Sequence, residues 1–240
     1  MMRLAVATLM AFAWSASDAG TQPGSAPEPD ETSADSAPHG RLFPPQDLGL
    51  LEAPDREVWQ KPDEIMDALG IADGSVVADI GAGAGWFTIR LARRVGPRGL
   101  VYAQDVQREM LEAIGRRVAK EGIRTVEPRL GQANDPGLPV RSLDAVLVVD
   151  VYPEIEHRVT FLRNLARALK SDGRIGIVNF KPGGGGPGPG PTEGVRVAQA
   201  AVETDIGAAG LHITSRRTFL PYQYLLVVEA SETVSDGRGQ

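Results

Sequence analysis

Residues 76–87 read VVADIGAGAGWF, and the order of residue types in this stretch decides the fold. An apolar run, Val76 to Ala78, leads into Asp79, glycines follow at alternate positions (Gly81, Gly83, Gly85), and a helical pattern starts at Trp86. That order spells a strand, a tight turn and a helix N-terminus, the construction by which an α/β sheet holds a nucleotide-like ligand. The glycines permit positive φ and let a ligand approach the backbone closely. Asp79, an acid just before the turn, suits a ligand bearing positive charge or hydroxyls better than a phosphate.

Working outward, the pattern alternates. Upstream, 55–69 has a helical apolar period (Val58, Ile65, Met66, Leu69) interrupted at Pro62, which predicts a short first helix and a second one starting at the proline. Downstream come a helix over 85–95, a strand over 100–104 and a helix over 107–121, with Met110, Leu111, Ile114 and Val118 on one face and Gly122 as a left-handed cap. A short strand over 125–130 precedes LDAVLVV (143–149), whose unbroken apolar run predicts a strand covered on both faces. A helix over 154–170 follows, with Glu154 and Glu156 at its start and Arg167 and Lys170 near its end, as the helix dipole favours, and then a strand over 174–180. This βαβα rhythm implies a parallel, doubly wound sheet. It breaks at GGGGPGPGP (183–191), which suits neither helix nor central strand. A helix over 195–209 and two strands, 211–219 and 222–229, close the chain; the latter are joined by so short a connection that they must form an antiparallel hairpin.

Composition narrows the function classes. The 240 residues carry 25 basic and 31 acidic side chains, a net charge of −6, with no basic patch and few aromatics, which argues against nucleic acid as a partner. The absence of cysteine excludes disulfides, thiolate metal sites and cysteine nucleophiles. His39, His157 and His212 are scattered, without metal-ligand spacing, and no metal site is expected. At the N-terminus, Arg3 precedes an apolar stretch from Leu4 to Trp14, and Ser17 and Ala19 occupy positions that suit signal-peptidase cleavage after Ala19. The apolar core is too short to span a bilayer comfortably, so export to the periplasm without stable membrane insertion is expected; the alternative is a mistaken start before a cytoplasmic protein. Residues 20–40, rich in Pro, Ser, Asp and Glu, read as a disordered spacer, 41–231 as one folded domain and 232–240 as a flexible tail.

The ordered motifs together resemble those of class I S-adenosylmethionine-dependent methyltransferases. VVADIGAGAGWFT resembles the family's first motif; VYAQD, ending in Asp105, the acid after strand 2; GQANDPGLP the adenine-contacting loop after strand 3; LDAVLVVDVYPEIEH the strand 4 motif; and ALKSDGRIGIVNF the strand 5 block. The closing hairpin resembles the family's antiparallel final strand. WQKP before the first strand and FLPYQYLLV at the end resemble a bacterial subgroup of uncharacterised members, here with the export signal. The resemblance implies a Rossmann-like, doubly wound seven-stranded sheet, mostly parallel with an antiparallel C-terminal hairpin strand. A dinucleotide dehydrogenase fits less well, because Trp86 stands where its third fingerprint glycine would fall.

By that resemblance the cofactor is S-adenosyl-L-methionine. The backbone of Gly81, Ala82, Gly83 and Gly85 would line its amino acid end and Asp79 would reach its ammonium through water. Asp105 would accept from both ribose hydroxyls, Val106 would pack on adenine, and Asn134 or Asp135 would accept from the adenine amino group, unless Asn134-Asp135-Pro136 is simple turn chemistry. Asp150 ends strand 4, where the methyl group should point. Asp150, Tyr152 and His157 are the candidate catalytic residues, with Glu154 a further candidate base; a histidine usual after the tyrosine is here replaced by Pro153 and Glu154. Trp59 and Lys61 are candidates for a lid, and Arg196 for contact with an anionic acceptor. The implied activity is methyl transfer to a small-molecule acceptor. The alternatives are a non-catalytic cofactor-binding protein, which an exported location favours, and a protein methyltransferase. The sequence carries no sign of oligomeric state.

Overall fold

The computed structural model describes residues 44, 53–183 and 189–230. The expected signal peptide, spacer and C-terminal tail lie outside these residues. The element order is α1 (Arg56–Gln60), α2 (Pro62–Ala68), β1 (Val76–Ile80), α3 (Trp86–Val95), β2 (Leu100–Asp105), α4 (Arg108–Lys120), β3 (Val126–Leu130), β4 (Leu143–Val149), α5 (Arg158–Ala168), β5 (Leu169–Phe180), α6 (Gln199–Ala208), β6 (Leu211–Arg217) and β7 (Gln223–Ala230). The strands form one seven-stranded sheet in the order β3-β2-β1-β4-β5-β7-β6. β1 to β5 run parallel, and β7 lies antiparallel between β5 and β6. This is the expected sheet, with its closing hairpin.

Side-chain alternation explains why the sheet is covered on both faces. Val146 and Val148 of β4 pack with Phe161, Leu162 and Leu165 of α5 and Val202 and Ile206 of α6. Ala145 and Leu147 point the other way, into the layer holding Ile65 and Met66 of α2 and Leu91 and Val95 of α3. A strand buried on both faces must be apolar throughout, which is why LDAVLVV reads as a continuous run. The helix starts are set locally. Pro62 is the first residue of α2, where its missing N–H costs nothing, and Lys61 before it turns with φ +48. Gly85 opens α3 with φ +79. Gly122, φ +67, ends α4 as expected.

The helix expected over 195–209 starts only at Gln199 and the strand expected over 211–219 ends at Arg217, and two further elements differ from the sequence expectation. α5 begins at Arg158, not at residue 154, because Tyr152–Glu154 form a separate 3-10 turn and Ile155 is extended and buried. Glu154 is therefore not a helix-start acid. β5 begins at Leu169, directly after α5, and absorbs the Lys170–Gly173 turn as an irregularity: pairing with β4 jumps from Leu143↔Leu169 to Ala145↔Arg174. Gly173 belongs there because a Cβ would lie 2.7 Å from the Leu143 carbonyl oxygen.

In the strand order, β2 and β3 lie on one side of β1 while β4 and β5 lie on the other. The connections after β1 and after β4 therefore diverge and leave a crevice at the carboxyl ends of the strands, where ligands bind in such sheets.

Candidate functional site

A cavity of about 560 Å³ fills that crevice, within the roughly 300–1,000 Å³ typical of small-molecule sites. Its floor is the 81–85 turn. Gly81 and Gly83 take φ +62 and +53, and a Cβ on Gly81 would stand 2.6 Å from Val151 Cγ2, so the turn can pack on the β4 loop only as glycine. Asp105, at the end of β2, accepts from the Gly83 N–H through Oδ2 (3.0 Å) and from the Gln107 N–H through Oδ1 (2.9 Å). A carboxylate has about four lone-pair positions, so even with the Val106 N–H as a third backbone donor it keeps capacity for a ligand hydroxyl. Burial raises the Asp105 pKa above the usual carboxylate value, against these hydrogen bonds. Met110 and Val106 add an apolar wall beside it.

Asp79, 3% exposed, is the last residue but one of β1, under the turn, and accepts from the Thr88 hydroxyl at 2.6 Å. Burial pushes its pKa up to about 7, with the Thr88 hydrogen bond and the Arg56 charge opposing. Asp150 follows β4 with φ +60, a left-handed conformation unusual for a residue with a side chain. A clamp that sequence reasoning missed accounts for it. The Gln223 amide of β7 donates to Asp150 Oδ1 (2.7 Å) and Oδ2 (2.8 Å). Gln60 of α1 donates to Asp150 Oδ2 (3.3 Å) and to Gln223 Oε1 (3.1 Å). Both glutamines are 0% exposed. Donors on both oxygens hold the carboxylate as an acceptor, yet burial still pushes its pKa up to about 6.

Arg56 was missed too. It lines the cavity, donates to Gln60 Oε1, and lies 4.4 Å over the Trp86 ring. Its charge acts on both Asp79 and Asp150. Among the described cavity residues it is the one cation, set against Asp79, Asp105, Asp150 and Glu154. Such a net negative lining suits a cationic ligand. A turn whose backbone is bare of side chains, a carboxylate with free lone pairs, an apolar slot and a surplus of negative charge fit the parts of S-adenosylmethionine: amino acid end, ribose, adenine and sulfonium.

The cavity gathers Asp79, Gly81, Ala82, Gly83, Asp105, Val106 and Asp150 of the expected site, with Trp59 and Glu154. Gly85 shapes the turn through its φ without lining the cavity. Asn134 and Asp135 are exposed and outside it: the Asp135 carboxylate accepts from the Gly137 N–H (2.8 Å), the Asn134 carbonyl from the Asn164 amide (2.8 Å), and the segment is turn chemistry. Tyr152 is 1% exposed and turned away; its hydroxyl donates to Asp205 Oδ2 (2.9 Å), and burial raises its pKa strongly. His157 is exposed before α5, in a separate shallow hollow with Arg158 and Asp205. Neither is placed to act on a ligand in the cavity. Glu154 is, because the 3-10 turn that shortens α5 turns it inward; burial, and then the charge of Asp105, push its pKa up to about 7. Lys61 is engaged with Glu64 (3.0 Å) and is not a cavity residue. Arg196 is no anion receptor: it donates to the carbonyls of Pro191 (3.0 Å) and Lys181 (3.1 Å) and faces Phe180 at 5.5 Å, pinning both ends of the Gly-Pro loop. Among the described residues no group of acids and histidines could hold a metal ion, and no helix is long and apolar enough to cross a membrane.

The buried carboxyls link stability to pH. Folded Asp79 holds its proton up to about pH 7, whereas in the unfolded chain it ionises near its ordinary value, about 4. Unfolding thus releases a proton within that window, and stability contributed by Asp79 falls as pH rises, by up to about 1.4 kcal/mol per pH unit. Asp79→Asn should therefore gain stability over the wild type as pH rises from 5 to 8 in ligand-free thermal melts, while binding a cationic ligand more weakly. A difference in melting temperature that stays constant with pH would contradict this.

Comparison with known proteins agrees with the geometry. Residues 77–173 match a methyltransferase domain family. The chain is 32% identical over 121 residues to nocamycin O-methyltransferase of Saccharothrix syringae, covering 49% of this chain and 42% of that protein. It is 30% identical over 137 residues to a ubiquinone/menaquinone biosynthesis C-methyltransferase of Pasteurella multocida, covering 55% of this chain and 48% of that one. The chain spans about half the length of the curated relatives it matches. Among solved structures, a SAM-dependent methyltransferase from Aquifex aeolicus superposes with a TM-score of 0.73 at 26% identity, over 78% of this chain and 98% of that one.

Proposed function

We propose that this chain is an S-adenosylmethionine-dependent methyltransferase that binds its cofactor in the cavity between β1, β2 and β4 and methylates a small-molecule acceptor. The observation that carries the reading is the pairing of the bare 81–85 turn with the Asp105 carboxylate across one cavity, joined by the Gly83 N–H bond. Bound there, the cofactor supplies a methyl group on a sulfonium, open to in-line displacement by an acceptor. Asp105 would hold the ribose hydroxyls, Asp79 the ammonium, and Arg56 the carboxylate of the amino acid end. Asp150, fixed by Gln60 and Gln223, would offer a stationary carboxylate to the cationic part of the cofactor. Trp59, Phe180 and Pro191 add apolar wall to the same cavity, which would limit water around the reacting atoms. Glu154, with its pKa near neutrality, is the group placed to take a proton from an acceptor.

The similarity to two small-molecule methyltransferases supports the small acceptor. Incubation with methyl-labelled S-adenosylmethionine and the small-molecule fraction of a cell extract should yield a labelled product that is lost in Asp105→Ala. Tight cofactor binding with no transfer to small molecules would instead favour a non-catalytic binding protein. Export after Ala19 remains a proposal from the N-terminal pattern, to be tested by sequencing the N-terminus of the mature chain.

A further inference from the structure

We infer that the methyl acceptor is a basic amine carried on a flat apolar body, bound in the corner of the cavity formed by Trp59, Phe180 and Pro191 against the carboxylates of Asp150 and Glu154. The inference rests on the cofactor reading above and concerns the part of the cavity that the cofactor leaves. β-Sheet register builds this corner. Gln223, which grips Asp150, is the direct partner of Phe180 across β5 and β7. Gln60, which also reaches Asp150, follows Trp59 in α1. Two aromatic rings, 5.7 Å apart between centroids and tilted by 46°, thus stand beside a fixed carboxylate. Gly190 packs against the Phe180 ring, where a Cβ would come within 2.5 Å of it, so the loop can close this wall only with a bare residue at that position.

Charge selects within that shape. Aromatic faces with a neighbouring carboxylate attract an ammonium, and each such contact adds about 0.5–2 kcal/mol. An anionic acceptor would meet Asp150 and Glu154 instead. The cations near the corner are engaged: Arg196 with two backbone carbonyls, Lys181 with the Leu220 carbonyl at 2.9 Å, and Arg56 with Trp86 and Gln60 and, in the cofactor reading, with the carboxylate of the amino acid end. For transfer, the bound ammonium first gives a proton to the Glu154 carboxylate, which passes it to water. The amine lone pair then forms the new carbon–nitrogen bond as the methyl–sulfur bond breaks. The bonding pair stays on sulfur, leaving neutral S-adenosylhomocysteine and a methylated ammonium.

The test is calorimetric titration of the full chain, saturated with S-adenosylhomocysteine, with three probes of one shape: 1-naphthylmethylamine, 1-naphthalenemethanol and 1-naphthoate. The amine should bind at least about tenfold tighter than the alcohol, and the acid should not bind. In Asp150→Asn, where Glu154 alone still faces the ammonium, the advantage of the amine over the alcohol should fall by at least about threefold. Equal or tighter binding of the alcohol or the acid would overturn the inference, as would no binding by any probe. Failure of S-adenosylhomocysteine itself to bind would sink the cofactor reading and this one with it; normal binding of S-adenosylhomocysteine with the wrong probe order sinks this one alone.

Discussion

Asp105→Ala is expected to weaken S-adenosylmethionine binding by at least about 100-fold. Each hydrogen bond from a ribose hydroxyl to the carboxylate contributes about 1.5–3 kcal/mol, and two of them amount to between about a 150-fold and a 20,000-fold change. The substitution also removes the acceptor of the Gly83 and Gln107 N–H groups, so the turn loses its anchor to β2. The fold should survive. Burial raises the pKa of Asp105, so its removal relieves a desolvation cost that offsets the two orphaned donors. Unchanged circular dichroism with binding lost is the expected pair of results. Asp105→Asn should also bind poorly, because its amide nitrogen would face one of those two N–H donors. Affinity within about threefold of the wild type in Asp105→Ala would remove Asp105 from the site.

Gln223→Leu should destabilise the protein by about 2–3 kcal/mol at pH 8, since it strips both Asp150 oxygens of their main donor and leaves a poorly solvated charge. For a domain of this size that is a fall of about 5–10 °C in melting temperature. The loss depends on pH in a defined direction. Asp150 has a folded pKa of about 6, so at pH 5 it is protonated, the missing donor matters less, and the difference from the wild type should shrink by more than half. Backbone pairing of β5 with β7 does not involve the Gln223 side chain and should persist. A pH-independent loss would mean that Gln223 contributes packing alone. The same variant should bind the cofactor less tightly, because Asp150 would no longer be held in its left-handed conformation.

The sequence made the sheet and half of the site legible for a physical reason: those features are local. VVADIGAGAGWF contains a strand, its turn and the helix start in twelve consecutive residues, and Asp105 ends the next strand. The clamp on Asp150 is not local. Gln60 and Gln223 are 163 residues apart and meet only because β7 inserts between β5 and β6. Both glutamines lie in the stretches WQKP and FLPYQYLLV, but nothing in either stretch says that the two meet. Arg56 was hidden because an arginine near the start of a short helix reads as solvent-facing, whereas here it lies over Trp86. Tyr152 and His157, named as candidates, both lie outside the cavity. Residues 154–157 were read as the start of a helix, but the 3-10 turn at Pro153 rotates Glu154 into the cavity, Tyr152 into the core and His157 to the surface. Asn134 and Asp135 resemble an adenine contact in sequence, while their side chain and backbone close a turn at the surface.

The central claim is that the crevice between β1, β2 and β4 holds S-adenosylmethionine, and isothermal titration of the ligand-free chain tests it most directly. One site per chain is expected, with a dissociation constant near or below about 100 μM, a binding free energy of roughly −5.5 kcal/mol or more favourable. Binding should also release protons when measured in buffers of differing ionisation enthalpy at pH 6.5, as the cation lowers the raised pKa values of Asp79 and Asp150. A titration without saturable heat, for both S-adenosylmethionine and S-adenosylhomocysteine and without any rise in melting temperature, would contradict it.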